Sequence, residues 1–516
     1  MRNNYLCFEL VGKCHCEERS DPSPVIASPF RAKQSQNKFG PISWKPLMIK
    51  RLPRLLRRLA MTKNSFSTTT WLCSLILFFS LLSAVQAFPI NRDSLDNGLI
   101  VLLTEDHKLP MLEIRATIKA GSVNDPKGKQ GLVNLTSELL IRGTKNRTLD
   151  KINSEIEFVG GQLRQFTAKD YSGINIRVLS KDLDLALDLL ADLMQNPIFP
   201  DSEIAKVKKQ VVSSIIRSEE EPDEVGFNAF YKLFFPDHPY GHPVIGYTES
   251  VNSMTKRDLL DFYQKYYAPN NCLIVAVGDF SQSELLEKIK TRFGKWQKKD
   301  IPELKITDPV LLAKPKGKII TKKEVNQAYI FLGFLGLKEN TPDLLPTRAM
   351  NFALGSSPTS SRLGVSVREK GGLAYDVRSY FERNLYLGVY FFTTQTKTDN
   401  TQTAVDKILF EIRKMKQSGA VQEELDRAKK FYTGNFPLSF DSFSDKISIV
   451  SRIERYQMGL DYLDKFNDRI MNLNLAQVNQ TAKDHLFPDN YLLVVVGNVT
   501  EDDLKLDDID WVKETE

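Results

Sequence analysis

Residues 134–138 place two oxygen-bearing side chains on one face of a predicted helix, at a spacing that could serve metal chemistry. Asn134 and Glu138 are four positions apart, with Ser137 between them, and residues at i and i+4 share a side of an α-helix. A catalytic zinc ion needs three protein ligands from His, Cys or carboxylates and an open position for water. Asn is a poor zinc ligand and one carboxylate cannot hold the ion alone. The pattern therefore favours polar residues that face solvent or a partner over a repurposed metal site.

A second set of residues with chemical potential lies between 361 and 377. Arg368 is followed by Gly371 and Gly372, which predict the end of a short helix, and Tyr375 then begins a predicted strand. A fixed cation and a phenol hydroxyl aimed at developing negative charge can contribute several kcal/mol to a transition state. The structural alternative is that Arg368 pairs with a nearby carboxylate and that Tyr375 fills a sheet edge.

The elements that position these residues belong to an internal repeat. Three residue types recur at the same spacing: Pro269, Asn271 and Gly278 return as Pro488, Asn490 and Gly497. Each copy predicts a turn that leads into an apolar strand covered on both faces. The repeat predicts two homologous halves, an N-terminal domain over 88–302 and a C-terminal domain over 303–516.

Strand and helix patterns interleave within the first half. Leu112, Ile114, Ala116 and Ile118 alternate as in a strand, whereas the apolar residues of 201–219 recur at helical spacing. Asp96-Asn97-Gly98 predicts a hairpin turn. The expected fold class is α+β, with two α/β-roll units in tandem, each a mixed, largely antiparallel sheet packed with helices.

Residues 131–144 resemble the active-site helix of the pitrilysin/insulinase family of zinc peptidases. That family carries an inverted H-x-x-E-H motif, in which two histidines bind zinc and the glutamate activates a water. The surrounding frame carries the resemblance: Gly121-Ser122 ahead of the helix, Gly131-Leu132 at its start and Gly143-Thr144 at its end. The resemblance covers essentially all of 88–516.

The resemblance implies that every zinc position of this chain is altered. Asn134 and Glu138 stand where the family has its two histidines, and Ser137 stands where it has the glutamate. The family's third ligand, a glutamate from a later helix, corresponds to Ser213 or Ser214. The chain is therefore expected to bind no metal and no cofactor of its own.

The same resemblance gives Arg368 and Tyr375 a role. In the family the equivalent residues reach the zinc site and hold the substrate carbonyl and the developing oxyanion. The chain thus resembles the non-catalytic subunit of a heterodimeric peptidase, whose H-x-x-E-H partner supplies zinc while the two subunits enclose extended peptides. The alternative is a structural or peptide-binding scaffold with no role in proteolysis.

Two histidines at i, i+4 spacing do not restore a metal site in this reading. His238 and His242 are separated by Pro239 and Gly241, and Pro243 follows, so the helix that would align the two rings is disfavoured. Family members have a similar His-Pro loop that binds no metal. The segment is therefore interpreted as loop architecture.

Residues 1–87 differ in composition from the rest of the chain. They hold 13 Lys and Arg against 4 Asp and Glu, so the net charge of +6 leaves −3 for residues 88–516. That mildly acidic body gives no reason to expect nucleic acid as a partner. Residues 61–87 end in a short apolar core and small residues, which predict a signal peptide cleaved before Phe88 and export to a bacterial periplasm.

Other interpretations of the leader stay open at this point. An uncleaved leader would anchor the protein in a membrane, facing the periplasm, and the basic, acid-free stretch after residue 21 is also compatible with a mitochondrial presequence. Residues 1–60 are possibly not part of the real protein, since Met61 offers an alternative start. Four of the five cysteines lie in the leader, so Cys272 alone remains in the body and no intrachain disulfide can form there.

Overall fold

Two mixed six-stranded sheets, each packed with helices, form the part of the protein that a computed structural model describes, namely residues 88–307, 311–506 and 508–513. This architecture confirms the predicted α+β class. The leader and its cleavage point fall outside the described residues. Among the described residues, no helix has the length and apolar character needed to cross a membrane.

The first sheet contains the strands of the first half. They are β1 (Asn91–Ser94), β2 (Ile100–Glu105), β3 (Met111–Ile118), β4 (Gln162–Thr167), β5 (Ser172–Leu179) and β6 (Cys272–Gly278). Their spatial order is β1-β2-β6-β3-β5-β4, with β2 and β6 parallel and the other neighbours antiparallel. The continuous apolar run of β6 is fully buried, because strands cover both of its edges and helices cover its faces.

The second sheet repeats this order with the strands of the second half, except that its outermost strand comes from the C-terminal end of the half and is parallel to its neighbour. They are β7 (Lys316–Thr321), β8 (Gln327–Gly336), β9 (Ala374–Arg383), β10 (Gly388–Lys397), β11 (Leu492–Gly497) and β12 (Asp510–Trp511). The order is β12-β7-β11-β8-β10-β9, with β11 parallel to β7 as β6 is to β2. The repeated strands β6 and β11 thus occupy the same place in their sheets, and β4 and β9 form equivalent edges.

Fourteen helices are named in the described residues. Those of the first half are α1 (Leu132–Leu140), α2 (Leu149–Phe158), α3 (Leu183–Gln195), α4 (Asp201–Glu220), α5 (Pro222–Phe234), α6 (Thr248–Ser253), α7 (Lys256–Tyr266) and α8 (Gln282–Phe293). Those of the second half are α9 (Leu344–Asn351), α10 (Thr401–Ser418), α11 (Gln422–Asn435), α12 (Phe443–Arg455), α13 (Tyr462–Met471) and α14 (Leu475–His485). Two π-helical turns, Phe352–Ser356 and Gly364–Glu369, follow α9.

The two halves exchange equivalent helices. Helix α5 packs on strands β8 and β11 of the second sheet, and α12 packs on strands β3 and β6 of the first sheet. Phe230 of α5 shares a buried cluster with Phe331 and Phe391, while Ile447 and Val450 of α12 share one with residues of β6. Each half therefore completes the core of the other.

Polar contacts also hold α12 against the first sheet. The buried carboxylate of Glu113 on β3 accepts hydrogen bonds from Arg177 at 2.5 Å and from Ser444 of α12 at 3.0 Å. Lys446 of α12 forms a buried ion pair with Asp106. These contacts fix α12 in register against the first sheet, because a buried charge is tolerated only with its partner in place.

Candidate functional site

The N-terminus of helix α1 requires a glycine and is held by hydrogen bonds. Gly131 adopts φ +93°, and a Cβ on it would lie 2.5 Å from the carbonyl oxygen of Ile245, so only glycine fits here. The side chain of Asp125 accepts hydrogen bonds from the amides of Gly131 and Val133, both at 2.8 Å. Burial raises the pKa of Asp125 to about 8, although these amide hydrogen bonds oppose the shift. The glycine that precedes the family motif therefore lies at a well-defined helix N-terminus.

Two of the three residues that the resemblance assigns to the motif on α1 contact the neighbouring strand. Asn134 and Glu138 are half-buried and lie on one face of the helix, whereas Ser137 is fully buried. The Ser137 hydroxyl donates to the carbonyl of Phe166 at 3.2 Å, and the Glu138 carboxylate accepts from Gln165 at 2.6 Å. Both contacts tie α1 to the edge strand β4. Ser137 is thus occupied in a structural hydrogen bond, and it carries no group that could act as a base toward water.

The two serines expected at the place of the third ligand form hydrogen bonds within their own helix. Ser213 and Ser214 are exposed on α4, which packs beside α1. Each donates to the carbonyl four residues earlier, on Lys209 at 2.9 Å and on Gln210 at 3.1 Å. Across the described parts of the chain, no group of three His, Cys, Asp or Glu side chains is arranged to hold a metal ion.

The two histidines of the His-Pro loop serve local structure. His238 accepts a hydrogen bond from the amide of Tyr240 through Nδ1 at 3.0 Å, inside a short 3₁₀ turn. His242 hydrogen-bonds the carbonyl of Pro243 at 3.0 Å, and burial lowers the pKa of its ring. The loop continues to Gly246, which packs backbone to backbone against Gly131. The histidine loop therefore supports the start of α1.

Arg368 and Tyr375 lie together on the surface of the second half. Arg368 belongs to the π-helical turn Gly364–Glu369, and Gly372, at φ +60°, reverses the chain into β9. Tyr375 is the second residue of β9 and is 87% exposed. The Arg368 guanidinium lies over the Tyr375 ring, 5.2 Å from its centroid, a favourable cation–π distance. Within the described residues no carboxylate lies within 4.0 Å of Arg368, so the pairing foreseen in the structural alternative is not formed.

The turn that carries Arg368 is anchored to the outer helices. Arg362 forms a two-pronged ion pair with Glu424 of α11, at 2.8 and 2.7 Å, and donates to the carbonyl of Gly419 at 2.8 Å. Ser361 caps the turn by accepting from the amide of Gly364 at 3.1 Å. The charged head of Arg368 is thus presented from a fixed backbone, which suits a group that must meet developing charge without reorganising.

Strand β9 contains an irregularity in its pairing that the sequence did not predict. Strand pairing places Thr394 opposite Val377 and Thr396 opposite Ala374, so β9 carries one extra residue at Tyr375–Asp376. This is a β-bulge, a feature that re-aims side chains at sheet edges. The only sequence signal is that the facing strand β10 changes from apolar and aromatic residues to the polar run 393–397.

Together, the duplicated α+β fold, the glycine-framed helix α1 and the exposed Arg–Tyr pair indicate a peptidase-type scaffold. Family comparisons agree: the model described as "Insulinase (Peptidase family M16)" matches residues 100–248, and that described as "Peptidase M16 inactive domain" matches residues 253–432. The chain belongs to the insulinase (M16) peptidase family, as the sequence resemblance predicted. The sequence expectation remains that Asn134, Ser137 and Glu138 stand where that family has its two histidines and its glutamate.

Named relatives extend over most of the chain. The uncharacterized zinc protease YmxG of Bacillus subtilis is 28% identical over 79% of this chain and 98% of its own length. The non-peptidase homolog YmxG of Helicobacter pylori is 23% identical over 83% of this chain and 98% of its own. Among solved structures, a peptidase M16 inactive domain from Pseudomonas fluorescens has a TM-score of 0.74 and 27% identity, covering 80% of this chain and 98% of that one.

Proposed function

We propose that this chain is the non-catalytic subunit of a heterodimeric zinc metallopeptidase. A partner of the same family, with an intact H-x-x-E-H motif, supplies the zinc ion and the base. This chain supplies Arg368, Tyr375 and half of the chamber that holds extended peptides. The observation that carries the proposal is the contrast between Asn134, Ser137 and Glu138, which cannot form a zinc site, and the Arg–Tyr pair displayed on β9.

The chemistry of the pair fits a shared site. A guanidinium stays protonated at every physiological pH, and a phenol donates a hydrogen bond without carrying charge. Directed at the carbonyl oxygen of a bound peptide, both strengthen as negative charge develops during attack by water. Tyr375 is 87% exposed and therefore free to meet a ligand from another chain.

The experiment is peptide cleavage by a complex reconstituted with an H-x-x-E-H partner. Arg368→Ala and Tyr375→Phe are each expected to lower kcat by about 100-fold, the usual cost of removing one oxyanion-stabilising donor. Arg257→Ala removes an arginine that is 90% exposed on α7 and serves as the matched control with unchanged activity. Full activity of both site variants in an intact complex would refute the shared-site proposal.

The proposal assigns zinc to the partner alone. Purified residues 88–516 are expected to contain far less than one zinc ion per chain by elemental analysis after dialysis against zinc. A stoichiometric ion retained by this chain would contradict the assignment, and Glu138→Ala would then identify whether α1 holds it.

A scaffold role is the second candidate, because a relative of 23% identity is named a non-peptidase homolog. A scaffold role predicts that substitutions of Arg368 and Tyr375 leave the cleavage rate of the complex unchanged. For localisation we propose export to a periplasm, tested by N-terminal sequencing of the native protein, where Phe88 is the expected first residue.

A further inference from the structure

The β-bulge beneath Tyr375 is held by two buried hydroxyls. Thr394 on β10 donates through Oγ1 to the carbonyl of Asp376 at 2.8 Å, and Thr396 donates to the carbonyl of Leu373 at 2.6 Å. The two carbonyls flank the extra residue on either side. Thr394 and Thr396 are 7% and 1% exposed, so water cannot replace these hydrogen bonds.

The same contacts reach the turn that carries Arg368. The amide of Leu373 donates to the carbonyl of Val367 at 3.0 Å, and the amide of Gly372 donates to that of Arg368 at 3.0 Å. Thr396 therefore fixes the segment between Arg368 and Tyr375 from the strand side, while backbone hydrogen bonds fix it from the turn side.

Thr394 and Thr396 are polar residues at buried positions. The buried face of β10 continues with Tyr390 and Phe392, both fully buried in the main core of the second half. A buried hydroxyl in such a core destabilises the fold unless it is hydrogen-bonded. Valine would match the shape of threonine and fill the same space, so the hydroxyls have a specific role, which is to satisfy the carbonyls on each side of the bulge.

We propose that Thr394 and Thr396 are positioning residues that hold the bulge and thereby aim Tyr375 and Arg368 at the reacting peptide. Without the hydroxyls, β9 pairs in regular register or fluctuates, and Tyr375 loses its fixed place beside Arg368. The catalytic arm of this inference rests on the proposed shared site, whereas its structural arm concerns the isolated chain.

The structural arm is tested by hydrogen exchange on residues 88–516. The double variant Thr394→Val/Thr396→Val keeps the side-chain shape and removes both hydroxyls. Amides of residues 373–378 are expected to exchange about tenfold faster, the effect of losing hydrogen bonds of ordinary strength. Thr393→Val on the opposite face of β10 is the matched control and leaves these amides unchanged. Unchanged exchange in the double variant overturns the inference.

The catalytic arm is tested in the reconstituted complex by a mutant cycle. The double valine variant is expected to lower kcat by about 10- to 100-fold, as small misplacements of a reacting group do, while KM changes little. In an Arg368→Ala/Tyr375→Phe background the same variant should change kcat by less than about twofold, because both residues through which the threonines are proposed to act are then removed. Thr394→Ser/Thr396→Ser, which restores the hydroxyls, should recover most of the rate and should fold even if the valine variant does not.

The outcomes separate the two proposals. Additive losses in the cycle would show that the threonines act elsewhere and would overturn their positioning role. If Arg368→Ala and Tyr375→Phe both leave cleavage unchanged, the shared-site proposal fails, and the exchange experiment alone decides whether the hydroxyls hold the bulge.

Discussion

Replacing Gly226 by alanine tests the packing of α5 on the second sheet. Gly226 lies within α5, and a Cβ on it would meet the Phe331 ring at 2.0, 2.5 and 2.6 Å. Phe331 is 3% exposed, and its ring packs against Phe227 with centroids 4.7 Å apart. The ring therefore cannot move aside without displacing its neighbours.

Two effects of opposite sign decide the outcome. Alanine favours a helix over glycine by about 1 kcal/mol, whereas an extra methyl in a tight core costs about 1–3 kcal/mol. Since three ring atoms lie under 3.0 Å, the upper part of that range applies. We expect Gly226→Ala to lower the free energy of unfolding by about 1–2 kcal/mol, the difference between these two terms.

Denaturant unfolding of residues 88–516, followed by circular dichroism, measures the change. Gly434 in α11 is the matched control, because a Cβ there meets nothing within 4 Å. Gly434→Ala should therefore gain stability, by up to about 1 kcal/mol. Equal gains from both substitutions would refute the claim that α5 is seated closely on β8.

Two further predictions use buried ionisable groups. Cys272 is 1% exposed and burial raises its pKa to about 12, so a thiol reagent at about pH 8, near the ordinary thiol pKa, should label residues 88–516 only after unfolding; rapid labelling of the native protein would contradict the buried strand. Burial would raise the pKa of Glu339, but the charges and hydrogen bonds of Arg452 and Arg383 lower it overall. Its carboxylate therefore contributes stability above the unfolded pKa of about 4.3 and loses it as pH falls through the lower folded value. Glu339→Gln should cost about 3 kcal/mol at pH 7, and the deficit relative to wild type should narrow below about pH 4; a deficit independent of pH would exclude this ion pair as its source.

The repeated strands and the class of fold were accessible from the sequence. The apolar run after Asn271 and its copy after Asn490 predict buried strands, and the structure places them equivalently as β6 and β11. Helical periodicity predicted α4 to within about a residue of its observed end, because Val207, Val211 and Ile215 bury one face. Short-range pattern carries this information.

The exchange of α5 and α12 between the two halves could not be predicted from the sequence. An amphipathic pattern predicts that a helix buries one face, and it does not identify the sheet that covers that face. Residues 222–234 and 443–455 would have read equally well as helices that cover their own half. Only the three-dimensional contacts with β8, β11, β3 and β6 assign them.

The residues of the candidate site could be predicted from the sequence, whereas the bulge and the threonines that hold them could not. The spacing of Arg368, Gly372 and Tyr375 predicts a helix end and a strand start, which the structure contains. The bulge was missed because a single extra residue leaves no periodic signal at the end of a strand. Two threonines in β10 have the β-propensity of any strand residue, so their hydrogen bonds to β9 appear only in the structure.

The crossed helices bear on how such a chain could have arisen. Each half of this protein packs one helix on the other half, as the two copies of a domain-swapped dimer do. Here duplication has joined the two copies into one polypeptide. A single half, expressed alone, would leave one sheet face uncovered where α5 or α12 normally lies. Two copies of that half can cover each other in the same way, so the first half alone should form a symmetric homodimer and not a monomer. The tandem chain would then preserve, within one molecule, the two-fold symmetry of its ancestor.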